Sequence, residues 1–279
     1  MLIEVQNDWG VTLWLLASDE RRPHLGGNKY HKLAGYVNQA RSQNVQHLLT
    51  MAGAHSNHLR AFAALVAMGE FSGTALIRGE ELNDPARHSA EIREAIAAGV
   101  NCVFVTRGLY RQLRAAHDAS EVQKLVAQGE LPRSVFIPEG GHGLPGTVGV
   151  AAWAAQAAGF SEVYLACATG TTCAGFLLGT TAPTRIVGVS VVRNERSVTE
   201  TIGMLAGNEA QRFTLLTEYD QGGFARVYPG HAEFCNRLSA AWGVTVDPVY
   251  VGKAAAAIAD RAQKGLVTGQ TLLVYTYNE

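Results

Sequence analysis

The chain has 279 residues, 47% of them hydrophobic and 17% charged, so it can bury a sizeable core and is not a disordered chain. Its 23 basic and 24 acidic residues give a net charge of −1 with His neutral, which offers no long-range attraction to nucleic acid or an anionic membrane. The four cysteines (Cys102, Cys167, Cys173, Cys235) have no C-x-x-C spacing and read as reduced thiols of a cytoplasmic protein. The first ten residues carry two acids and no basic residue, unlike a signal peptide, and no apolar run approaches the ~18 residues of a membrane span.

In chain order, a Gly-Gly-Asn-Lys turn at 26–29 precedes Leu33, Tyr36, Val37 and Ala40, which share one helical face. A strand is predicted at 48–51 (LLTM), then a helix with Leu59, Phe62, Ala63 and Val66 at i, i+3, i+4 and i+7. Strand 74–77, helix 86–98, strand 101–105, a helix near 120–128 and strand 134–137 follow. Then come helix 147–158, strand 163–166, a helix starting near Thr172, strand 185–191, helices 232–242 and 253–264, and strand 271–275. Strands alternating with helices imply βαβ units and largely parallel sheet, and the continuous apolar runs fit strands covered on both faces. This length suits two α/β domains with a cleft between them.

Three loops join these elements with small and polar residues: 26–29, Gly53-Ala54-His55-Ser56-Asn57-His58, and Ala168-Thr169-Gly170-Thr171-Thr172. The last two lie between a strand and a helix, where backbone N–H groups and the positive dipole end can hold an anion. Each hydroxyl there can equally be a helix N-cap. Gly170 and Gly175 have P-loop spacing, but Phe176 and Leu177 replace the required Lys and Ser/Thr. Gly141, Gly143 and Gly146 match G-x-G-x-x-G, yet Pro145 stiffens the turn and no strand ends in an acid about 20 residues on. His55 and His58 lack further ligands for a metal, there is no nucleophile elbow, Glu139 reads as a solvated loop carboxylate, and Arg107, Arg111 and Arg114 read as a solvated face.

A lysine on a Gly-Gly-Asn turn, a Ser-Asn loop and a Thr-rich loop are together what pyridoxal phosphate requires. The segments GGNKYHKL (26–33), AGAHSNHLRA (52–61), PEGGHGLPGTVG (138–149), ATGTTCAG (168–175) and DPVYVGKA (247–254) resemble the 1-aminocyclopropane-1-carboxylate deaminase / D-cysteine desulfhydrase family. IRGEE (77–81) and GGFARVYPGHAEF (222–234) resemble a shorter branch of it, and the resemblance runs from residue 13 to 276. It implies an α/β protein of the tryptophan-synthase-β-like fold with two domains of largely parallel sheet flanked by helices. The larger, cofactor-binding domain would be 1–32 with 141–279, and the smaller inserted one 33–140. It further implies a homodimer acting on a small amino acid with pyridoxal 5'-phosphate as cofactor. Lys29 would carry the cofactor and move the Cα proton, Asn57 would bond the ring 3′ oxygen, and Ala168, Thr169, Gly170, Thr171 and Thr172 would hold the phosphate. Ser56, His55, His58, Phe224 and Tyr250 would face the substrate, with Ser56 and Tyr250 assisting catalysis, and Thr276 would lie near the ring nitrogen.

The departures from the family are informative. Val251 stands where the deaminase branch has a glutamate, Thr276 where it has a leucine, and Phe224 where a tyrosine is usual. These favour a lyase that performs β-elimination, as a D-cysteine desulfhydrase does, to give a keto acid and ammonia. The alternatives are a 1-aminocyclopropane-1-carboxylate deaminase and, from another class, a cofactor-binding protein with little turnover.

Overall fold

The computed structural model describes residues 1–18, 27–116, 118–126, 132–193, 195–267 and 269–276. The elements are β1 (Leu2–Val5), β2 (Leu13–Leu16), α1 (Gly27–Ser42), β3 (His47–Ala52), α2 (Asn57–Ala67), β4 (Ser72–Arg78), α3 (Ala90–Ala97), β5 (Asn101–Val105), α4 (Arg107–Leu113), α5 (Ala119–Leu125) and β6 (Ser134–Ile137). They continue as α6 (Leu144–Ala154), β7 (Glu162–Cys167), α7 (Thr171–Gly179), β8 (Arg185–Ser190), α8 (Glu195–Ala206), β9 (Phe213–Leu216), α9 (His231–Trp242), α10 (Val251–Gln263) and β10 (Thr271–Val274). The chain forms two compact units, Met1–Asn28 with Thr147–Glu279, and Lys29–Gly146.

The contiguous unit holds a four-stranded parallel sheet in the order β5-β4-β3-β6. Strand periodicity splits its apolar residues between two cores. Leu48 and Ala52 of β3 join α1, α2 and α3 on one face, and Leu49 and Met51 join α4 and α5 on the other. The order steps from β3 to β4 to β5, then returns to place β6 on the far side of β3. The loops after β3 and β6 therefore leave a switch point, where open α/β sheets bind ligands.

The second unit holds six strands in the order β1-β2-β10-β7-β8-β9, antiparallel only between β1 and β2. One core packs Val163, Leu165 and Ile186 under α6, α7 and α8, and the other packs Tyr164, Val187 and Leu273 against α9 and α10. Its switch point lies between β7 and β10, so the loop after β7 and the residues after β10 flank it.

Two local expectations change. The helix expected from residue 86 starts at Ala90, because Pro85 opens a separate 3-10 turn and Ser89 caps the helix by accepting from Ile92 N at 3.3 Å. The arginine stripe lies on and just past the short α4, which buries Tyr110 and Leu113. On its outer face Arg107 pairs with Glu81 and Arg114 with Glu139, so Glu139 has a partner as well as solvent. No helix among the described residues is long and apolar enough to cross a membrane.

Candidate active site

In the six-stranded unit the loop after β7 runs into α7 without a side-chain cap. Gly170 occupies the cap position at φ +82, and a Cβ there would meet Ile202 Cγ1 at 2.8 Å, so both backbone and space demand glycine. Thr171 and Thr172 are buried, while Ala168 is half-buried and Thr169 exposed. Thr169 Oγ1 stands 3.5 Å from Thr171 Oγ1. Uncapped N–H groups, a positive dipole end and clustered hydroxyls make an anion cradle, and the capping alternative does not apply here. Asn28 Nδ2 donates to Thr172 Oγ1 at 3.0 Å, a buried bond that fixes the start of α1 to this cradle. Lys29 is the next residue along the chain, so its Cα lies ~3.8 Å from that of Asn28.

Across the switch point, Thr276 Oγ1 is buried with no hydrogen-bond partner among the described residues. A buried hydroxyl without a partner costs about 1–3 kcal/mol, and a polar ligand atom would remove that cost. Asp247 shapes the start of α10 by accepting from Val249 N (3.0 Å), Tyr250 N (2.6 Å) and Val251 N (3.0 Å). Burial still lifts its carboxyl above the ordinary range, against those three bonds. Burial, with the Asp247 charge second, pushes the half-buried Tyr250 phenol up to about 12, so it keeps its proton at neutral pH. The Tyr250 ring meets Phe224 edge-on at 6.0 Å between centroids, and Phe224 is exposed. Val251 is fully buried in the apolar core beside α9 and α10.

In the four-stranded unit, Lys29 is half-buried in the first turn of α1, and burial lowers its ammonium from 10.5 to about 8. Ser56 caps α2, its Oγ accepting from His58 N at 3.2 Å, and Asn57 opens the helix. The exposed His55 places Nδ1 3.5 Å from Glu91 Oε2. His58 is buried, and its Nε2 lies 2.8 Å from Thr50 Oγ1. The single Thr50 hydroxyl proton goes to Ile137 O at 2.8 Å, so His58 Nε2 must carry a hydrogen and donate it. Nδ1 is then a bare acceptor, buried without a hydrogen-bond partner among the described residues. Burial, with the charges of Lys29 and Lys32, holds the ring down to about 3, so it is neutral at physiological pH. A proton–nitrogen correlation spectrum should therefore show His58 neutral and Nε2-protonated throughout pH 5–8. A midpoint near the ordinary value of about 6.5, or the opposite tautomer, would refute this hydrogen-bond assignment.

Sequence reasoning placed Asn28 in the turn before Lys29 but missed its bond to Thr172, and it missed Thr50 altogether. Thr50 left a trace, a polar residue at an inward position of the run LLTMA. The G-x-G-x-x-G loop turns inward. The Tyr36 hydroxyl donates to His142 O, a Cβ on Gly141 would meet Lys32 Cβ at 2.9 Å, and one on Gly146 would lie 2.1 Å from Gly141 O. Gly26 and Tyr277 to Glu279 lie outside the described residues. All four cysteines are free, and no group of three or more metal-ligating side chains occurs among the described residues.

No family model matches the chain. It is 24% identical over 300 residues to a Pyrococcus abyssi protein provisionally named 1-aminocyclopropane-1-carboxylate deaminase, spanning 99% of this chain and 87% of that one. It is 25% identical to the mitochondrial bifunctional D-cysteine desulfhydrase/1-aminocyclopropane-1-carboxylate deaminase of Arabidopsis thaliana, over 88% of this chain and 66% of the other. It is also 25% identical to the D-cysteine desulfhydrase of Yersinia pestis, over 96% and 86%. In fold it matches the crystal structure of an ACC deaminase homologue with a TM-score of 0.79 at 22% identity, covering 100% of this chain and 89% of the other. The resemblance carried by the motifs thus extends over nearly the whole chain, and the fold is that of those proteins.

Proposed function

We propose that this protein is a pyridoxal-phosphate-dependent lyase that performs β-elimination on a small amino acid, releasing a keto acid and ammonia. The observation that carries this reading is the uncapped α7 N-terminus, bonded through Thr172 to Asn28, with Lys29 next in the chain. The cradle offers phosphate backbone donors and hydroxyls, and the unsatisfied Thr276 hydroxyl offers a donor to a ring nitrogen, so the residues present fit the cofactor. When bound, pyridoxal phosphate supplies an electron sink for charge developing at the substrate Cα.

The chain's own groups do the rest. Lys29, with its ammonium near 8, holds the cofactor and has a neutral amine available to take the Cα proton. The Ser56 hydroxyl and the Asn57 N–H, the one N–H in the first turn of α2 not already engaged among the described residues, offer donors to the substrate carboxylate, and the Asn57 side chain bonds the ring oxygen. The protonated Tyr250 phenol can donate to the departing group at Cβ. Homodimer formation is part of the same proposal, by resemblance to the relatives.

Val251 bears on substrate choice. Fully buried in an apolar core, it gives no carboxylate to keep a ring nitrogen protonated, and Thr276 offers only a hydroxyl. A weaker sink suits a good leaving group such as thiolate or chloride, and suits poorly a cyclopropane, where carbon must leave. D-cysteine and β-chloro-D-alanine should therefore yield pyruvate and ammonia, with little product from 1-aminocyclopropane-1-carboxylate. Measuring both products across that panel decides: turnover of the cyclopropane alone refutes the elimination, and turnover of none supports a cofactor-binding protein.

A further inference from the structure

A second concavity lies outside the carboxyl ends of β8 and β9, neighbouring parallel strands of the six-stranded sheet. It is open to solvent, offers about 450 Å³ and is lined by Arg193, Gln221, Gly222, Arg226, Val227 and Tyr228. That volume admits a small molecule, and the carboxyl edge is where such sheets take ligands.

The polar groups in this wall are unmatched in one direction. Gln221 Oε1 accepts from Tyr228 N at 2.8 Å, so the amide's remaining capacity is its NH₂ donor. The nearby Asp220 carboxylate is already engaged, Oδ1 with Gly222 N at 2.8 Å and Oδ2 with Arg193 Nε at 3.5 Å. Arg226 has no ion pair among the described residues, and neither terminal nitrogen of Arg193 makes a hydrogen bond there. Two guanidinium groups, a phenol and an amide NH₂ therefore face the space with donors to spare.

These side chains converge. A Cβ on Gly222 would lie 3.5 Å from Arg226 Cδ and 3.6 Å from the Tyr228 hydroxyl, and one on Gly223 would lie 3.6 Å from Arg193 Cγ. The two arginines thus rest over consecutive glycines. The loop is also held in an uncommon conformation, with Gln221 at φ +54 and Ala225 at φ +57. The buried Lys253 ammonium secures it by donating to Asp220 O (2.7 Å) and Gly223 O (3.0 Å). A strained turn fixed by a buried charge is a preorganised surface.

We propose that this cavity binds a small molecule bearing an oxyanion, carboxylate or phosphate, whose charge is taken by Arg193 and Arg226. Guanidinium forks suit both chemistries. Phe224 lies on the same loop and touches Tyr250, so the ligand would also steady that ring pair. The proposal goes beyond the elimination reaction, in which Arg193 and Arg226 are given no role.

Calorimetric titration tests it, on protein saturated with pyridoxal phosphate so that the α7 cradle is not open to the probe. The probes are inorganic phosphate and malonate, neither of which has an amine. At least one should bind at millimolar concentration or below, and Arg193→Gln or Arg226→Gln should weaken it by about tenfold or more. Arg226→Lys, which keeps the charge but not the fork, should lose less than Arg226→Gln. Preference for phosphate assigns a phosphate-bearing ligand, and preference for malonate a carboxylate-bearing one. Binding of neither probe, or binding that both glutamine variants leave unchanged, overturns the proposal. The cofactor absorbance, read in the same samples, reports the elimination site separately and should be the same in all variants.

Discussion

Lys29→Ala should abolish the cofactor's bound absorbance band and lower turnover by about 10³-fold or more, the scale on which a positioned proton-transfer group acts. Borohydride reduction of the wild type should attach the cofactor at Lys29 and nowhere else. Three lysines compete by position in sequence, and their surroundings separate them. Lys253 is fully buried with Nζ engaged by two carbonyls, and Lys32 is buried against Gly141. Lys29 is half-buried with its ammonium lowered from 10.5 to about 8. At pH 7.5 that shift raises the neutral amine by about two orders of magnitude over an ordinary lysine. The rate of cofactor capture by the cofactor-free protein should climb about tenfold per pH unit and level off above about pH 8. Label on Lys32 or Lys253, or a profile that keeps climbing to about pH 10, would refute the assignment.

Gly146→Ala should be the most destabilising single methyl addition in the 141–146 loop. The new Cβ would sit 2.1 Å from Gly141 O, a backbone atom that cannot rotate away, and Gly141 itself lies at φ +68 against Lys32. Forced backbone displacement of this kind costs about 3 kcal/mol or more, which lowers the melting temperature by roughly 6–12 °C. The prediction also separates two meanings of G-x-G-x-x-G. If these glycines serve the chain's own close packing, the substitution is felt with no ligand present. If they served a dinucleotide, Gly146→Ala would leave the melting temperature unchanged and alter only nucleotide binding.

Sequence and structure agree best where strands are apolar throughout. The run NCVFV becomes the edge strand β5 with the same limits, Asn101–Val105, because its apolar residues serve both faces, Cys102 and Phe104 against one core and Val103 and Val105 against the other. The elements that escaped are short or polar. β1 and β9 are short and each interrupts its apolar residues with a polar one, and α8 buries only Val198, Ile202 and Ala206. The candidate site was legible as loops but not as roles. Ser56 and Thr171 both stand at strand-to-helix junctions, and sequence offers a cap and an anion ligand equally for each. The fold divides them: Ser56 caps α2, whereas α7 starts with no side-chain cap. The His58 tautomer was beyond reach, since it depends on Thr50 spending its one proton on Ile137 O, a partner 87 residues away.

The bond from Asn28 to Thr172 also sets an order of events during synthesis. Its two residues are 144 positions apart, and at ~5–20 residues per second the ribosome needs roughly 7–30 s to make the second after the first. Lys29–Gly146 is an unbroken stretch, complete before the cradle on α7 has emerged. The six-stranded sheet closes later still, because β2 pairs with β10, Leu13 against Thr271. Lys29 is therefore translated well before the α7 groups proposed to hold its cofactor. On the proposed function, loading of the cofactor then waits until β10 has been made and can pair with β2.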